Sequence, residues 1–376
     1  MRKGWEYKKL GDCTQILDSQ RKPVTKKDRK SGIYPYYGAT GIQDYVNKYI
    51  FDGRYVLVGE DGAKWSSFTQ SAFIIEGKTW VNNHAHVLRT NDFLVDSFLV
   101  YFLNYSDLDS YISGAIIRKL TQASLRNIDI PLPPKSTQLA IVSELDKINE
   151  LIRLKKEQLK DFDNLAQSLF YEMFGDPVEN EKGWEVKKLD DVCIITSSKR
   201  IFADEYTNTG IPFYRSKEVI ERSKGLPISV ELFISEERYN EIKEKFGVPK
   251  IGDILITAVG TIGKIWAIDT DNKFYFKDGN LVWLKDIDNQ LANSCFFRRL
   301  LEYLIEEYKK TNANGAAYNA LTIAKLKLMS CPLPPLSLQR LFAQRIEQIE
   351  REKSEVQKSI QDLETLLASR MQYWFE

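Results

Sequence analysis

Two long segments of the chain share one hydrophobic pattern. From residue 138 to residue 174 apolar side chains recur at alternating steps of four and three, and the pattern returns 201 residues later. A mean spacing of 3.5 residues is typical of a helix that packs along a narrow seam against another helix. The predicted seam positions are Ile141, Leu145, Ile148, Ile152, Leu159, Phe162, Leu169, Phe342, Ile346, Ile349, Val356, Ile360, Leu363 and Leu367.

Both segments begin in the same way, with Pro-Leu-Pro-Pro at 131–134 and 332–335 followed by Gln138 or Gln339. Proline fixes extended backbone before a helix start, so each predicted helix has a defined first turn. At ~1.5 Å per residue each helix is ~55 Å long. We predict that the two helices pack on each other as an antiparallel rod. The alternative is that each helix covers only its own domain.

An antiparallel pairing of equivalent helices implies pseudo-twofold symmetry. If the pairing is in register, Lys155 and Lys353 meet near the middle of the rod. Two like charges at that place are unfavourable unless both ammonium groups reach water. This register is therefore an expectation that the contacts of Lys155 and Lys353 can test.

The globular parts are repeated as well. Gly-Trp-Glu opens the chain at 4–6 and returns at 183–185, an offset of 179, whereas the ends of the two units are offset by 201. The second globular part is therefore longer by 22 residues, the difference between these offsets. An internal repeat fixes the architecture before any other feature does. The predicted order is a first globule (1–134), a first long helix (135–175), a second globule (176–334) and a second long helix (335–376).

Short apolar runs within each globule predict strands, and the fold class is therefore α+β. In the first globule the pattern predicts strands at 8–17, 55–58, 71–75, 80–88 and 128–131, an aromatic turn at 34–42 and a helix at 97–108. The second globule follows the same order, with a buried strand at 253–257 and a helix at 295–309. Framework positions repeat between the globules, but loop residues do not. We expect one scaffold that reads two different things.

Composition is that of an ordinary globular protein, with 43% hydrophobic and 28% charged residues. No apolar run approaches the ~18 residues of a membrane span, and the N-terminal residues lack the apolar core of a signal peptide. The four cysteines are scattered without a CxxC pair, which favours reduced structural thiols and a cytoplasmic location. The net charge is +1, but residues 1–130 alone carry +4.

Taken together, the motifs resemble the specificity (S) subunit of Type I restriction-modification systems, the HsdS family. The resemblance covers essentially the whole chain. It rests on the Trp-x-x-x-x-Leu-x-Asp openings, the Tyr-Pro-Tyr-Tyr-Gly-Ala-Thr-Gly-Ile segment at 34–42, Gly-Asp-Ile-Leu-Ile-Thr at 252–257, Lys-Leu-Thr-Gln at 119–122 and the two Pro-Leu-Pro-Pro segments. One departure is the stretch 313–321, which replaces the Arg-Lys-Leu-Thr-Gln stretch of the first globule.

The resemblance implies two target-recognition domains, each of which reads half of a split double-stranded DNA site, and a helical rod that holds them apart. It implies two methyltransferase subunits as partners, which bind S-adenosylmethionine and methylate adenine, and it allows restriction subunits to join. The chain itself is then non-catalytic and binds no cofactor. Which bases are read, and across what spacing, does not follow from the resemblance.

Motifs for catalysis are absent from the sequence. It has no Asn-Pro-Pro-aromatic segment of an amino-methyltransferase, and the segment 260–264 fails as a P-loop because Ala258 and Ile265 stand where Gly and Ser/Thr belong. His84 and His86 have a spacing that could bind metal, but no cysteine pair lies nearby in sequence. A structural or DNA-contacting role for His84 is favoured over zinc, and no metal site is predicted.

DNA contacts are predicted in the loops, because phosphates attract Lys and Arg while bases attract Arg, Asn, Gln and small or apolar groups. For each residue a solvated charge or a core tyrosine is the plain alternative. If the stretch 36–37 is extended, only one of its two tyrosines points inward. The candidates are Arg21, Lys22, Lys26, Lys27, Tyr36, Tyr37, Lys64, Asn83, His84, Arg118, Lys119, Gln122, Lys199, Arg200, Arg215, Lys217, Lys264, Asn280, Tyr318 and Asn319.

Other functions remain open at this point. A coiled-coil adaptor without DNA readout would explain the rod but not the basic, aromatic loops at matching places. An enzyme in its own right would need a cofactor site that the sequence does not offer. The specificity subunit of a related Type IIB-like system would share every motif named above.

Overall fold

The computed structural model describes residues 5–114, 118–312 and 320–376. The chain divides into two compact units, one formed by Met1–Leu159 with Glu355–Glu376 and the other by Lys160–Ser354. Among the described residues, no helix is both long and apolar enough to cross a membrane.

The first unit contains the first globule and parts of both long helices. Its α-helices are α1 (Leu10–Cys13), α2 (Asp96–Tyr105) and α3 (Gln122–Arg126), followed by the long helix α4 (Lys135–Phe174), which continues into the second unit. Its strands are β1 (Glu6–Lys9), β2 (Thr14–Ile16), β3 (Ser31–Gly38), β4 (Gly41–Val46), β5 (Phe51–Gly59), β6 (Ala72–Val81), β7 (Ala85–Thr90), β8 (Ile112–Ser113), β9 (Lys119–Leu120) and β10 (Asp129–Leu132).

A six-stranded sheet in the order β2-β7-β5-β6-β3-β4 forms the framework of the first globule. Its pairs are antiparallel except β3 with β6, which is parallel. The strand β5 lies between two neighbours, and its residues Tyr55–Gly59 are all buried. One face of this strand packs into a core with α2, α3 and the start of α4. The globule is therefore tied to the long helix by apolar contact.

The second unit contains the second globule and the other parts of the long helices. Its α-helices are α5 (Ser216–Ser223), α6 (Glu236–Phe246), α7 (Ser294–Asn312), α8 (Ile323–Lys327) and α9 (Leu336–Phe375), which continues into the first unit. Its strands are β11 (Glu185–Lys188), β12 (Ile194–Thr196), β13 (Tyr206–Thr207), β14 (Ile211–Tyr214), β15 (Phe233–Ile234), β16 (Ile254–Thr257), β17 (Ile265–Ala267), β18 (Tyr275–Phe276), β19 (Leu281–Lys285) and β20 (Ser330–Leu333).

The second globule repeats the framework with one replacement. The pair β11–β20 has the same register as β1–β10, with Glu185 opposite Leu333 as Glu6 is opposite Leu132. Two four-stranded sheets follow, in the orders β12-β19-β16-β17 and β13-β15-β14-β18. Where β4 follows β3 directly, the second globule has α5, β15 and α6 between β14 and β16. The extra length predicted from the two offsets lies in this segment.

The two long helices pack antiparallel in both units, as predicted. In the first unit Glu144 accepts hydrogen bonds from Arg370, and Lys156 pairs with Glu364 at 2.8 Å. In the second unit the rings of Phe170 and Phe342 lie 5.7 Å apart. All fourteen predicted seam side chains are buried or half-buried. The α+β class and the packed helices are thus confirmed.

The predicted register of the rod is wrong. Lys353 pairs with Asp163 at 2.8 Å, and the ammonium group of Lys155 lies 3.4 Å from the side-chain oxygen of Gln158. The helices are offset from the in-register alignment, so that an acidic side chain faces Lys353. Apolar spacing alone does not choose between registers that bury the same seam; opposite charges do.

Several sequence-based strand predictions also need correction. The segments 71–75 and 80–88 are divided differently, since β6 runs on to Val81 and β7 begins at Ala85. The segment 8–17 is two strands separated by α1, because Leu10 and Cys13 both turn into the core at helical spacing. The segment 34–42 belongs to the β3–β4 hairpin rather than to an aromatic turn. Within it Tyr36 is buried and Tyr37 half-buried, which is the alternation expected of extended backbone.

Gln138 and Gln339 make the same three hydrogen bonds in their respective units. The side chain of Gln138 accepts from the backbone of Val95 and donates to the carbonyls of Phe93 and Pro133. Gln339 bonds in the same way to the corresponding backbone groups of Asn293, Leu291 and Pro334. Both glutamines are completely buried. Each one therefore fixes the start of a long helix to the loop that precedes α2 or α7.

Candidate nucleic-acid interface

Three loops converge at one end of the central strands in the first globule. In the turn after β5, Glu60 N donates to His84 O (2.8 Å), and Glu60 O accepts from Leu120 N (2.8 Å). An isolated bridge joins Asp61 to Lys119. The loops that carry half of the predicted contacts of the first globule are thus held together by main-chain hydrogen bonds.

The second globule has the same main-chain arrangement. Ala258 N donates to Asn280 O (2.8 Å), and Leu321 N donates to Ala258 O (2.9 Å). An isolated bridge joins Val259 to Ala320. Ala258 therefore occupies the place of Glu60, Asn280 that of His84, and Val282 that of His86, two residues further along.

A threonine begins the short helix after the third loop in both globules. The hydroxyl of Thr121 accepts from Ser124 N at the start of α3, and Thr322 accepts from Lys325 N at the start of α8. Such a cap satisfies one of the free N–H groups of the first turn and fixes where the helix begins. The framework of the interface is therefore repeated down to its helix caps.

The side chains on this framework differ between the globules. In the first globule Arg21 lies between Asp18 (3.3 Å) and Glu60 (2.5 Å), and Lys119 bonds to the other oxygen of Glu60 at 2.6 Å. His86 is buried and bonds through Nδ1 to Asp18 (2.6 Å) and through Nε2 to a backbone carbonyl (2.8 Å). We call these five residues the charged network.

Opposite charges compensate for the burial of the two carboxylates. Burial alone would raise the pKa of Asp18, but hydrogen bonds from His86 and Val87 N and the charge of Arg21 outweigh it and lower that pKa. In the same way Lys119 and Arg21 outweigh burial and lower the pKa of Glu60. The bond to Glu60 raises the pKa of Lys119. Both carboxylates are therefore ionised near neutral pH.

The spacing of Asp18, Glu60 and His86 would also suit a metal ion, since their ligand atoms lie within 4.8 Å of one another. In this structure the guanidinium of Arg21 and the ammonium of Lys119 contact the same carboxylates. Two buried carboxylates need positive charge nearby, and these side chains supply it. The arrangement is that of an ion-pair network.

Other predicted contacts of the first globule lie around the network. Gln122 is exposed and donates to Asp18 at 3.2 Å. His84 is exposed beside Asp61 at 2.5 Å, and Arg118 pairs with Asp109 at 2.7 Å. Asn83 is exposed in the same loop as His84. These side chains can reach a bound molecule without unfolding the loops.

Four lysines of the first globule have no ion pair within the described residues. Lys22, Lys26, Lys27 and Lys64 are exposed, and within the described residues no carboxylate lies within 4.0 Å of their ammonium groups. Lys22, Lys26 and Lys27 share the segment between β2 and β3, and unpaired lysines suit phosphate contact. Tyr36, by contrast, is 1% exposed and packs under Arg29. It belongs to the core in this conformation.

The second globule has a cleft of about 300 Å³ at the same place. Small and apolar side chains line most of it, among them Ala258, Val282 and Leu321. The carboxylate of Asp278 and the half-buried Ser198, whose hydroxyl oxygen is buried, complete the lining. The predicted contacts Asn280 and Lys264 are both half-buried. The charged network therefore has no counterpart among the described residues of this globule.

The predicted cations of the second globule are mostly paired. Arg200 bonds to Asp278 at 2.7 Å, while Arg215 and Lys217 share Glu231 at 2.8 and 2.5 Å. These two partners lower the pKa of Glu231 to about 2. Lys199 lies over the ring of Phe246. Tyr318 and Asn319 lie outside the described residues.

Sequence reasoning missed the acidic half of both arrangements. Asp18, Glu60, Asp61 and Glu231 position the predicted cations but were not singled out. Arg21 and Glu60 are 39 residues apart, so no short motif joins them. The repeat was the available signal, because Glu60 ends a framework strand where the second globule has Ala258.

Comparisons with known proteins agree with this architecture. The family described as type I restriction modification DNA specificity domain matches the chain twice, at residues 2–161 and 181–365. A putative type I restriction enzyme specificity subunit of Haemophilus influenzae is 33% identical over 92% of this chain and 87% of its own length. The MjaIX specificity subunit of Methanocaldococcus jannaschii is 24% identical over 97% of this chain and 91% of its own.

Solved structures share the fold. A chain from a study of complex assembly and conformational transition of the type I restriction-modification system has a TM-score of 0.63 at 20% identity, and the match covers 100% of this chain and 98% of that chain. The S subunit of M. genitalium has a TM-score of 0.54 at 14% identity, over 99% and 96% of the two chains. With the double match of the family model, these findings show that the chain belongs to the type I restriction-modification DNA specificity family, with two specificity domains in tandem.

Proposed function

We propose that each globule reads one half of a split DNA target and that the chain directs adenine methylation to that target by partner subunits. One observation carries the proposal: the two globules hold the same three loops on the same main-chain hydrogen bonds but place different side chains on them. A repeated framework with unlike contact residues suits two different base sequences.

The two surfaces differ in ways that DNA can distinguish. The first globule offers the unpaired lysines Lys22, Lys26 and Lys27 and the exposed polar side chains of His84 and Gln122. The second offers a small apolar cleft bordered by paired cations. Phosphate contacts set affinity and register, and base contacts set sequence. We therefore expect the first globule to contribute more of the salt-dependent binding.

Catalysis lies in partner subunits in this proposal. Two methyltransferase subunits bind the chain and hold S-adenosylmethionine, and restriction subunits join where the system cleaves DNA. The relatives are named specificity subunits, which supports a non-catalytic role. The whole assembly acts in the cytoplasm, where the DNA is.

The test is co-expression with the neighbouring methyltransferase, followed by mapping of methylated adenines across the host DNA. The expected result is one split motif, with two defined blocks around a gap of fixed length. A continuous motif would refute the reading by two separate globules. A stable complex without any methylation would favour a coiled-coil adaptor without DNA readout.

A further inference from the structure

We propose that Asp18 is a positioning residue that orients the side-chain amide of Gln122 toward an adenine in the half-site of the first globule. The inference rests on the proposed function, since it assumes that this globule reads bases. It adds a role for Asp18, which does not touch DNA, and a hydrogen-bonding pattern for Gln122, which does.

Asp18 presents only acceptors to its surroundings. Its Oδ1 accepts from Val87 N at 3.0 Å, and its Oδ2 accepts from His86 at 2.6 Å and from Gln122 at 3.2 Å. The carboxylate is 7% exposed and also pairs with Arg21 at 3.3 Å, and the bond from Gln122 lies on its solvent-exposed side. An ionised carboxylate cannot donate. The amide of Gln122 must therefore turn its NH₂ group toward Asp18 and its oxygen away.

This orientation determines what Gln122 offers to a ligand. The side chain is exposed at the first position of α3, where the Thr121 cap fixes the backbone. One N–H is used by Asp18, which leaves the other N–H and the oxygen. An amide with one donor and one acceptor matches the N7 acceptor and N6 donor of adenine in the major groove. An amide that rotates freely would exchange the positions of its donor and its acceptor and would not favour adenine.

The pairing of Asp18 with Gln122 is an addition to the framework and not part of it. The second globule holds the same backbone bonds with Ala258 and Val282 where the first has Glu60 and His86. The loops therefore converge without a charged network. A buried carboxylate that the corresponding loop of the second globule lacks, with a donor reaching in from an exposed polar side chain, suits a role in orienting that side chain.

The experiment uses the complete complex with its methyltransferase subunits and measures competition binding. Duplexes carry every substitution in the first block of the mapped motif, and the ratio of affinities is read for each base pair. We expect Q122A to reduce discrimination at one A·T pair by about tenfold or more. We expect D18N to reduce discrimination at the same base pair. The asparagine offers both a donor and an acceptor, so it can bond to either the NH₂ group or the oxygen of Gln122 and no longer fixes the orientation of that amide.

The double variant separates orientation from general damage. If Asp18 acts through Gln122, D18N/Q122A is no worse than Q122A. D18E keeps the carboxylate and should restore part of the discrimination. Additive losses, or a loss spread equally over both blocks, would overturn the proposal.

A matched control removes the neighbouring carboxylate of the charged network. E60Q alters the partner of Lys119 and not that of Gln122, so it should change overall affinity and leave the ratio at the Gln122 base pair as it was. If E60Q and D18N give the same pattern, the effect belongs to the network as a whole and the proposal fails.

Unmodified protein provides a second readout, which holds even if D18N does not fold. Replacing the target adenine by 7-deazaadenine removes N7, and we expect weaker binding by the wild-type complex and no further loss in Q122A. An equal loss in both proteins would contradict the predicted contact. If the wild-type complex shows no first block at all, the proposed function fails before this inference is reached.

Discussion

The convergent loops of the two globules have one framework and two chemistries. In both, the residue after the central strand bonds to the loop before a strand paired with it (β7 or β19) and to the loop before a threonine-capped helix. On this framework the first globule places four charged side chains and the buried His86, whereas the second places alanine and valine around a cleft. Backbone hydrogen bonds thus hold the loops, and the side chains are left to vary.

This difference teaches where the stability of each interface comes from. In the first globule buried carboxylates depend on Arg21, Lys119 and His86, so one substitution leaves several groups without a partner. In the second globule small apolar side chains occupy the corresponding place, and the ion pair at its border joins the exposed Arg200 to Asp278. The following predictions use matched positions in the two globules and run from the largest expected effect to the smallest.

Removing the central cation should affect only the first globule strongly. Arg21→Met leaves Asp18 and Glu60 buried with less compensation, and we expect a loss of about 3–5 kcal/mol in the unfolding free energy of this region. Arg200→Met in the corresponding loop removes an exposed pair with Asp278 and should cost less than about 1 kcal/mol. Urea titration followed by hydrogen exchange of peptides from each globule measures both; equal losses would contradict the comparison.

The glutamines should behave alike, because they belong to the shared framework. Gln138→Leu leaves a backbone N–H and two carbonyls without partners, and we expect a loss of about 2–4 kcal/mol. Gln339→Leu breaks the same three bonds in the second unit and should lose a similar amount. The same unfolding measurement applies. A difference larger than about 2 kcal/mol would show that the repeat is only geometric.

Acid should loosen the first interface before the second. Asp18 and Glu60 have lowered pKa values in the folded state, so their contribution is complete above about pH 4–5 and is lost as the pH falls through the folded values. Burial raises the pKa of Asp253 in the second globule, so its contribution has the opposite sign and grows as the pH falls.

Hydrogen exchange at pH 6.5 and pH 4, corrected for intrinsic rates, separates these two behaviours. The amide of Val87, which bonds to Asp18, should lose protection on acidification. The amide of Lys250, which bonds to Asp253, should not. A loss of protection at Lys250 without a loss at Val87 would contradict the predicted pH dependence of both carboxylates.

The smallest effects concern phosphate contacts. Replacing Lys22, Lys26 and Lys27 by Gln should flatten the dependence of log Kd on log salt by up to about 0.9 for each phosphate that is no longer neutralised, without changing the bases read. Replacing Lys217, which Glu231 neutralises, should change the slope less. A changed recognition sequence in the triple variant would refute the phosphate role of these lysines.

The framework could be predicted because it repeats. The periods of the seam gave the long helices within a few residues, and the duplicated Pro-Leu-Pro-Pro segments gave their starts. The register of the rod could not be predicted, since it depends on which acidic residue faces Lys353 and not on the apolar spacing. The short helix α1 could not be recognised in the sequence, because it is a single turn between the strands β1 and β2.

The interface could be predicted only by its cations. Lys22, Lys26 and Lys27 are recognisable as a basic loop, and the structure leaves them exposed. Arg21 belongs to the same basic run, but the fold buries it against Glu60, which is distant in sequence. A sequence shows which groups can bind phosphate. Only the fold shows which of them a carboxylate of the same chain already holds.

The measurement that tests the central claim most directly is an exchange of the first globule. Residues 1–134 are replaced by the corresponding segment of a related specificity subunit, the complex is assembled with its methyltransferase, and methylated adenines are mapped again. The account predicts that one block of the motif changes while the other block and the gap between them stay as before. A change in both blocks, or in neither, would contradict the assignment of one half-site to each globule.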